Sequence, residues 1–68
     1  MAQDHWLHGF NFNVEEWPES GHYVTLAICR TLAIARAAFK EAVVDKPAGR
    51  FMIRSRTHVV KLHPEGDW

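Results

Sequence analysis

Residues 23–44 read YVTLAICRTLAIARAAFKEAVV, and the fold turns on whether they make one long helix or a strand followed by a helix. The turn residue Gly21 precedes them, and Tyr23-Val24-Thr25-Leu26-Ala27-Ile28 is rich in β-branched and aromatic side chains, which favours a strand first. Val24, Leu26 and Ile28 alternate with Tyr23, Thr25 and Ala27, the period of two expected of a strand with one buried face. From Thr31 the period changes: Leu32, Ala35, Phe39 and Ala42 or Val43 recur at three- and four-residue spacing, while Arg36, Lys40 and Glu41 fall elsewhere. Thr31 is the expected N-cap. The alanines that follow favour a helix lying close against a sheet with Phe39 as its main anchor, and Pro47 and Gly49 stop it. Arg30, Arg36, Lys40 and Glu41 make the whole tract too polar for a lipid-facing span.

Upstream, Phe10, Phe12 and Val14 alternate with Asn11, Asn13 and Glu15, a second strand pattern. Trp17-Pro18-Glu19-Ser20-Gly21 joins the two as a hairpin loop. A loop over 17–21 pairs Val14 with Val24, Phe12 with Leu26 and Phe10 with Ile28, which places every apolar pair on one face. Downstream, a loop over 45–49 leads to Arg50-Phe51-Met52-Ile53-Arg54 and then Thr57 to Leu62. A turn at Ser55-Arg56 pairs Phe51 with Val60 and Ile53 with His58 on the core face. Arg50, Met52, Arg54, Thr57, Val59 and Lys61 then face outward. Ser-Arg departs from the Asn-Gly or Gly-X chemistry of two-residue hairpins, so a longer turn or one continuous bent strand stays open.

The pattern is therefore α+β, in the order ββαββ: a four-stranded, mainly antiparallel sheet with one helix packed on one face. A right-handed crossover passing over the first strand predicts the sheet order 2-1-3-4. Residues 10–63 form the domain, with 1–9 and 64–68 expected to be loose. The expected core is Phe10, Phe12, Val14, Val24, Leu26 and Ile28 from the first hairpin. The helix adds Leu32, Ala35, Phe39 and Val43, and the last hairpin Phe51, Ile53, Val60 and Leu62.

The stretch Leu32-Ala33-Ile34-Ala35-Arg36-Ala37-Ala38-Phe39, with the ending Ile53-Arg54-Ser55-Arg56-Thr57-His58-Val59, resembles small bacterial single-domain proteins of ββαββ pattern. In these a strand hairpin leads into an Ala-rich helix and a Pro-containing loop, then an "LR…RV"-like ending. The resemblance spans roughly Phe10 to Pro64 and implies no assigned activity, with His58 standing where that ending often has a second Arg.

Sixty-eight residues make one domain, which buries about 60% of its unfolded surface. The single cysteine, Cys29, excludes an intramolecular disulfide and points to a reducing compartment. The N-terminus MAQDHWLHGF lacks a basic segment followed by a long apolar run, so the expected location is cytoplasmic.

The motifs of catalysis are missing from the sequence. Zinc needs about four converging ligands; of His5, His8, His22, His58, His63 and Cys29, only His5 and His8 have a suitable spacing, so no metal or other cofactor is expected. Nothing places a histidine beside Cys29. Glu15 and Glu16 are neighbours on a strand and point to opposite faces. The glycines at 9, 21, 49 and 66 are scattered, without a phosphate-binding fingerprint. The chain is read as a non-enzyme.

Charge is the distinctive feature. The formal net charge is zero, yet Asp4, Glu15, Glu16 and Glu19 are the only Asp, Glu, Lys or Arg residues before Thr25, while all eight Lys and Arg lie after it. Arg50, Arg54, Arg56 and Lys61 collect in the last hairpin, with Arg50 expected opposite Lys61. Together with Tyr23 and Met52 they form the candidate partner-binding set. If the first strand lies beside the third, Glu15 on the same outer face approaches these arginines and the cluster is a solvated structural network of small energetic consequence. Otherwise the open sheet face meets an acidic protein or single-stranded nucleic acid. The leading expectation is a small interaction module, homodimeric through an open face bearing Tyr23, Ala27, Met52 and Val59; the alternative is weak single-stranded nucleic-acid binding through the basic hairpin. Trp17 is expected to fold back on the end of the core, and Trp6 and Trp68 fall in the tails.

Overall fold

The computed structural model describes residues 11–19 and 21–66. Along the chain run β1 (Phe12–Glu16), β2 (Val24–Cys29), α1 (Leu32–Asp45), β3 (Phe51–Ser55) and β4 (His58–His63). The sheet order is β2-β1-β3-β4, and every neighbouring pair is antiparallel. This is the α+β arrangement and the strand order that the sequence predicts. The expected roles of Phe10, His5, His8, Trp6 and Trp68 lie outside the described residues.

Helix α1 begins where the period changes. Thr31 is extended, at φ −126° and ψ 155°, and its Oγ1 accepts the Ile34 N–H at 3.1 Å. That bond satisfies one of the donors left without partners in the first helical turn, a contribution of about 1 kcal/mol. At the other end the Lys46 N–H donates to the Ala42 carbonyl at 3.0 Å and the Gly49 N–H to the Lys46 carbonyl at 2.9 Å, closing the turn before β3. A Cβ on Gly49 would stand 2.8 Å from two carbons of the Phe51 ring, so this glycine is what lets Phe51 seat beneath the loop.

Val14, Ala35 and Ile53 are fully enclosed, and Phe39, Phe51 and Cys29 complete the core, with Phe12, Ala27, Leu32, Val43 and Val60 packed around them. Ala35 presents no side chain beyond Cβ where the helix meets the sheet, which brings the two layers close. No helix among the described residues is long and apolar enough to cross a membrane.

Register is where structure and sequence part. Phe12 pairs with Cys29, Val14 with Ala27 and Glu16 with Val24, and a bulge leaves Leu26 without a partner on β1. Beyond the bulge the helix-facing residues of β2 are Ala27 and Cys29; Val24, opposite Glu16, keeps the helix-side register position, but it is exposed, as are Leu26 and Ile28, all three expected in the core. Five of the six residues of β2 are apolar, so either alternation supplies a hydrophobic face, and Thr25 alone does not decide between them. The connection is also longer than the expected 17–21, occupying residues 17–23 between the strands.

In the second hairpin Phe51 pairs with His63, Met52 with Leu62 and Ile53 with Lys61; a bulge at Val60 then shifts the register to Arg54 with Val59 and Ser55 with His58. The turn is Arg56-Thr57, with Arg56 in the left-handed region at φ 57°. The expected opposition of Arg50 and Lys61 does not occur. Leu62, expected in the core, lies on the face away from the helix, beside Met52. Met52, expected to be exposed, is buried.

Candidate interaction surface

On the face away from α1, pairing sets Glu15 of β1 opposite Met52 and next to Arg54 of β3. The Glu15 side chain is completely shielded from solvent, and both of its oxygens are engaged. Oε1 accepts the Trp17 indole N–H at 3.1 Å. Oε2 accepts Arg54 Nη2 at 2.7 Å and Nε at 3.2 Å. Trp17 stacks on Tyr23, with ring centroids 4.8 Å apart and planes at 24°. The Arg54 guanidinium carbon lies 5.0 Å from the Tyr23 centroid, a cation–π arrangement. The bond to Glu15 first, and Tyr23 second, push the Arg54 pKa above its usual value.

These four side chains form one layer: a buried carboxylate, its guanidinium partner, an indole donor and a phenol ring closing the top. A carboxylate taken out of water costs several kcal/mol unless it is paired and hydrogen-bonded, and here both oxygens have partners. An arginine approaches Glu15 as expected if β1 lay beside β3, but the contact is a buried, fully hydrogen-bonded layer and not the solvated network of small energetic consequence that the sequence suggested. The sequence predicts only that Trp17 folds back on the end of the core; its bond to Glu15 is not legible there, because a loop indole two residues from Glu15 carries no periodic signal.

The candidate set is divided by the sheet. Tyr23, Met52 and Arg54 share the face away from the helix. Lys61 pairs with Ile53 on the helix side, and its Nζ lies 5.8 Å from the Phe39 ring centroid. Arg50 is at the end of β3, where its Nε donates to the Trp17 carbonyl at 3.0 Å and its own carbonyl accepts the Trp17 N–H at 2.8 Å. Arg56 is exposed in the β3–β4 turn, at the far end of that strand from Arg50. Beside the Arg50 end, Lys46 and Glu16 form an ion pair of 2.6 Å.

What lies open is the β2 edge. No described strand flanks β2 on its outer side, and Val24, Leu26 and Ile28 are 51%, 45% and 66% exposed. From Val24 to Cys29 the strand contains no charged residue and no proline. Among the described residues no three His, Cys, Asp or Glu side chains converge as metal ligands would. Comparison with protein-family models, with curated proteins and with solved structures finds no match.

Proposed function

We propose that this chain is a small, non-enzymatic interaction module that pairs with a second copy of itself along β2. The observation that carries the reading is the uncharged edge strand with three large aliphatic side chains at least 45% exposed. Sheet edges in monomeric proteins are commonly protected by lysines, prolines or covering segments, because unpaired backbone groups invite another strand. Two β2 strands related by a two-fold axis run antiparallel, each offering the other its backbone groups, so one short sequence supplies both sides of the contact. The sequence favoured the open face for this contact. The Glu15 layer closes the centre of that face, which moves the support to the edge. The bulge at Leu26 bends β2, so we expect a short interface with a dissociation constant in the micromolar range, about −8 kcal/mol.

Sedimentation equilibrium over a hundredfold concentration range tests this. Wild type is expected to pass from monomer to dimer, and Ile28→Lys, a change at an exposed position, is expected to stay monomeric with unaltered melting. A wild type that is monomeric throughout, or an Ile28→Lys protein that dimerises like the parent, refutes the edge contact.

Single-stranded nucleic acid has less support in the geometry, since Arg54 is held against Glu15 and Lys61 lies across the sheet from Tyr23. A cytoplasmic location is part of the same proposal, on the strength of the free, buried thiol of Cys29.

A further inference from the structure

Four strands about 4.8 Å apart make a surface wider than one helix of about 10 Å diameter. Helix α1 packs against β2, β1 and β3 and so is centred on β1, two strands away from β4. Two strand spacings come to about 10 Å, close to the 8–10 Å that separates packed helices. The helix-side surface of β4 is therefore the position a second helix would occupy.

That position is a groove of about 470 Å³ between α1 and β4. Its apolar lining is Phe39, Val43 and Val44 from the helix and Val60 from the bulge in β4. Val44 is 65% exposed although it stands one helical turn from Lys40 on the same wall. The rim is basic: Arg36 and Lys40 line it from α1 and Lys61 and His63 from β4, and no Asp or Glu among the described residues lines the groove. Both ion pairs between described residues belong to other side chains. Lys61 extends toward the Phe39 ring, laying a flexible stem near an apolar floor from which it can swing away.

We propose that this groove docks an acidic amphipathic helix of a partner protein, its apolar stripe on Val43, Val44 and Val60 and its carboxylates toward Arg36, Lys40 and Lys61. Three cations with no described acid among them favour an acidic occupant over a second copy, whose own α1 would bring Arg36 and Lys40 against the same rim. An added strand would extend the sheet in its plane beside β4 and leave the groove empty. The proposal deepens the interaction-module reading by naming a second surface, at the opposite side of the sheet from β2, so the two contacts fail separately.

The test is selection from a display library of fourteen-residue helical peptides, run on wild type and on the Ile28→Lys variant. Enriched peptides should carry apolar residues at i, i+3, i+4 and i+7 flanked by Asp or Glu, and bind both proteins equally, with Kd on the order of tens of micromolar. Methyl NMR should show shifts at Val43, Val44 and Val60, and Lys40→Glu with Lys61→Glu should weaken binding at least tenfold. Failure to enrich any peptide overturns the proposal, as do neutral or basic winners and winners indifferent to the two charge reversals. Shifts of the Val44 methyls with protein concentration alone would assign the groove to a second copy. Binding of laurate there in the absence of any enriched peptide would assign it to a small anionic amphiphile. Either result overturns the partner helix.

Discussion

Replacing Arg54 by Met removes the guanidinium and keeps an apolar stem over Tyr23. The consequence falls on Glu15, whose fully enclosed carboxylate would keep only the Trp17 N–H at 3.1 Å and lose both bonds to its Oε2. Removing one partner of a buried pair costs about 3–5 kcal/mol, most of it the penalty of the charge left behind. A 68-residue domain has about 3–10 kcal/mol in total at typical values per residue, so the loss should take away a third or more of its stability. Each kcal/mol moves the midpoint of a domain this size by about 4–8 °C, which predicts a fall of at least about 12 °C in thermal melts followed by circular dichroism. The companion experiment is the double variant Glu15→Gln with Arg54→Met, in which the remaining side chain still accepts the indole bond but carries no charge. It should recover a substantial part of the loss, with a coupling of about 1–3 kcal/mol in urea unfolding. A single Arg54→Met protein melting within 2 °C of the parent, or a double variant no better than the single, would refute the argument that Glu15 is a buried charge held in place by Arg54.

Two other perturbations probe the core. Phe39→Ala empties the main helix anchor and should cost about 3–5 kcal/mol, enough to leave much of the protein unfolded at room temperature by near-ultraviolet circular dichroism. Gly49→Ala sets a methyl against the Phe51 ring and should cost about 1–3 kcal/mol in urea unfolding; an unchanged midpoint would mean that the ring has room to move.

The order of elements was legible because each boundary carries its own chemistry: the change of period at Thr31, the Pro47 and Gly49 stop, and the handedness that places β3 beside β1. The approach of Glu15 to an arginine followed from that strand order. Register was not legible, and the reason is specific. Val24 to Cys29 is apolar at both parities, so alternation could not choose between burying Leu26 with Ile28 and burying Ala27 with Cys29. Two bulges, at Leu26 and Val60, add single residues that a regular pairing scheme does not contain. The bulge at Val60 accounts for Lys61 lying on the helix side and Leu62 away from it, and so for the division of the candidate basic cluster, while Met52 keeps its expected face and is buried there between Glu15 and Leu62. Arg56 at φ 57° hid the second turn, because a left-handed position filled by arginine has no compositional signature. The groove beside α1 arises from counting strands against helices, which no local motif encodes.

The first described strand is also one of the two central strands of the sheet, and this fixes the order in which the chain can be completed. β1 finds one neighbour, β2, a few residues later, but its other neighbour begins at Phe51, beyond the helix. A chain ending at Asp45 would hold a hairpin and a helix with one side of β1 bare, the Val14 side chain without Ile53, and Glu15 without Arg54. Such a piece carries an unmatched strand edge and lacks Phe51 and Ile53 from its core, so it has little reason to persist as a folded unit. The last hairpin therefore acts as a clasp: a nascent or truncated chain gains its stability late and all at once, and a fragment of residues 47–68 supplied separately is the natural candidate to restore a chain cut within the loop before β3.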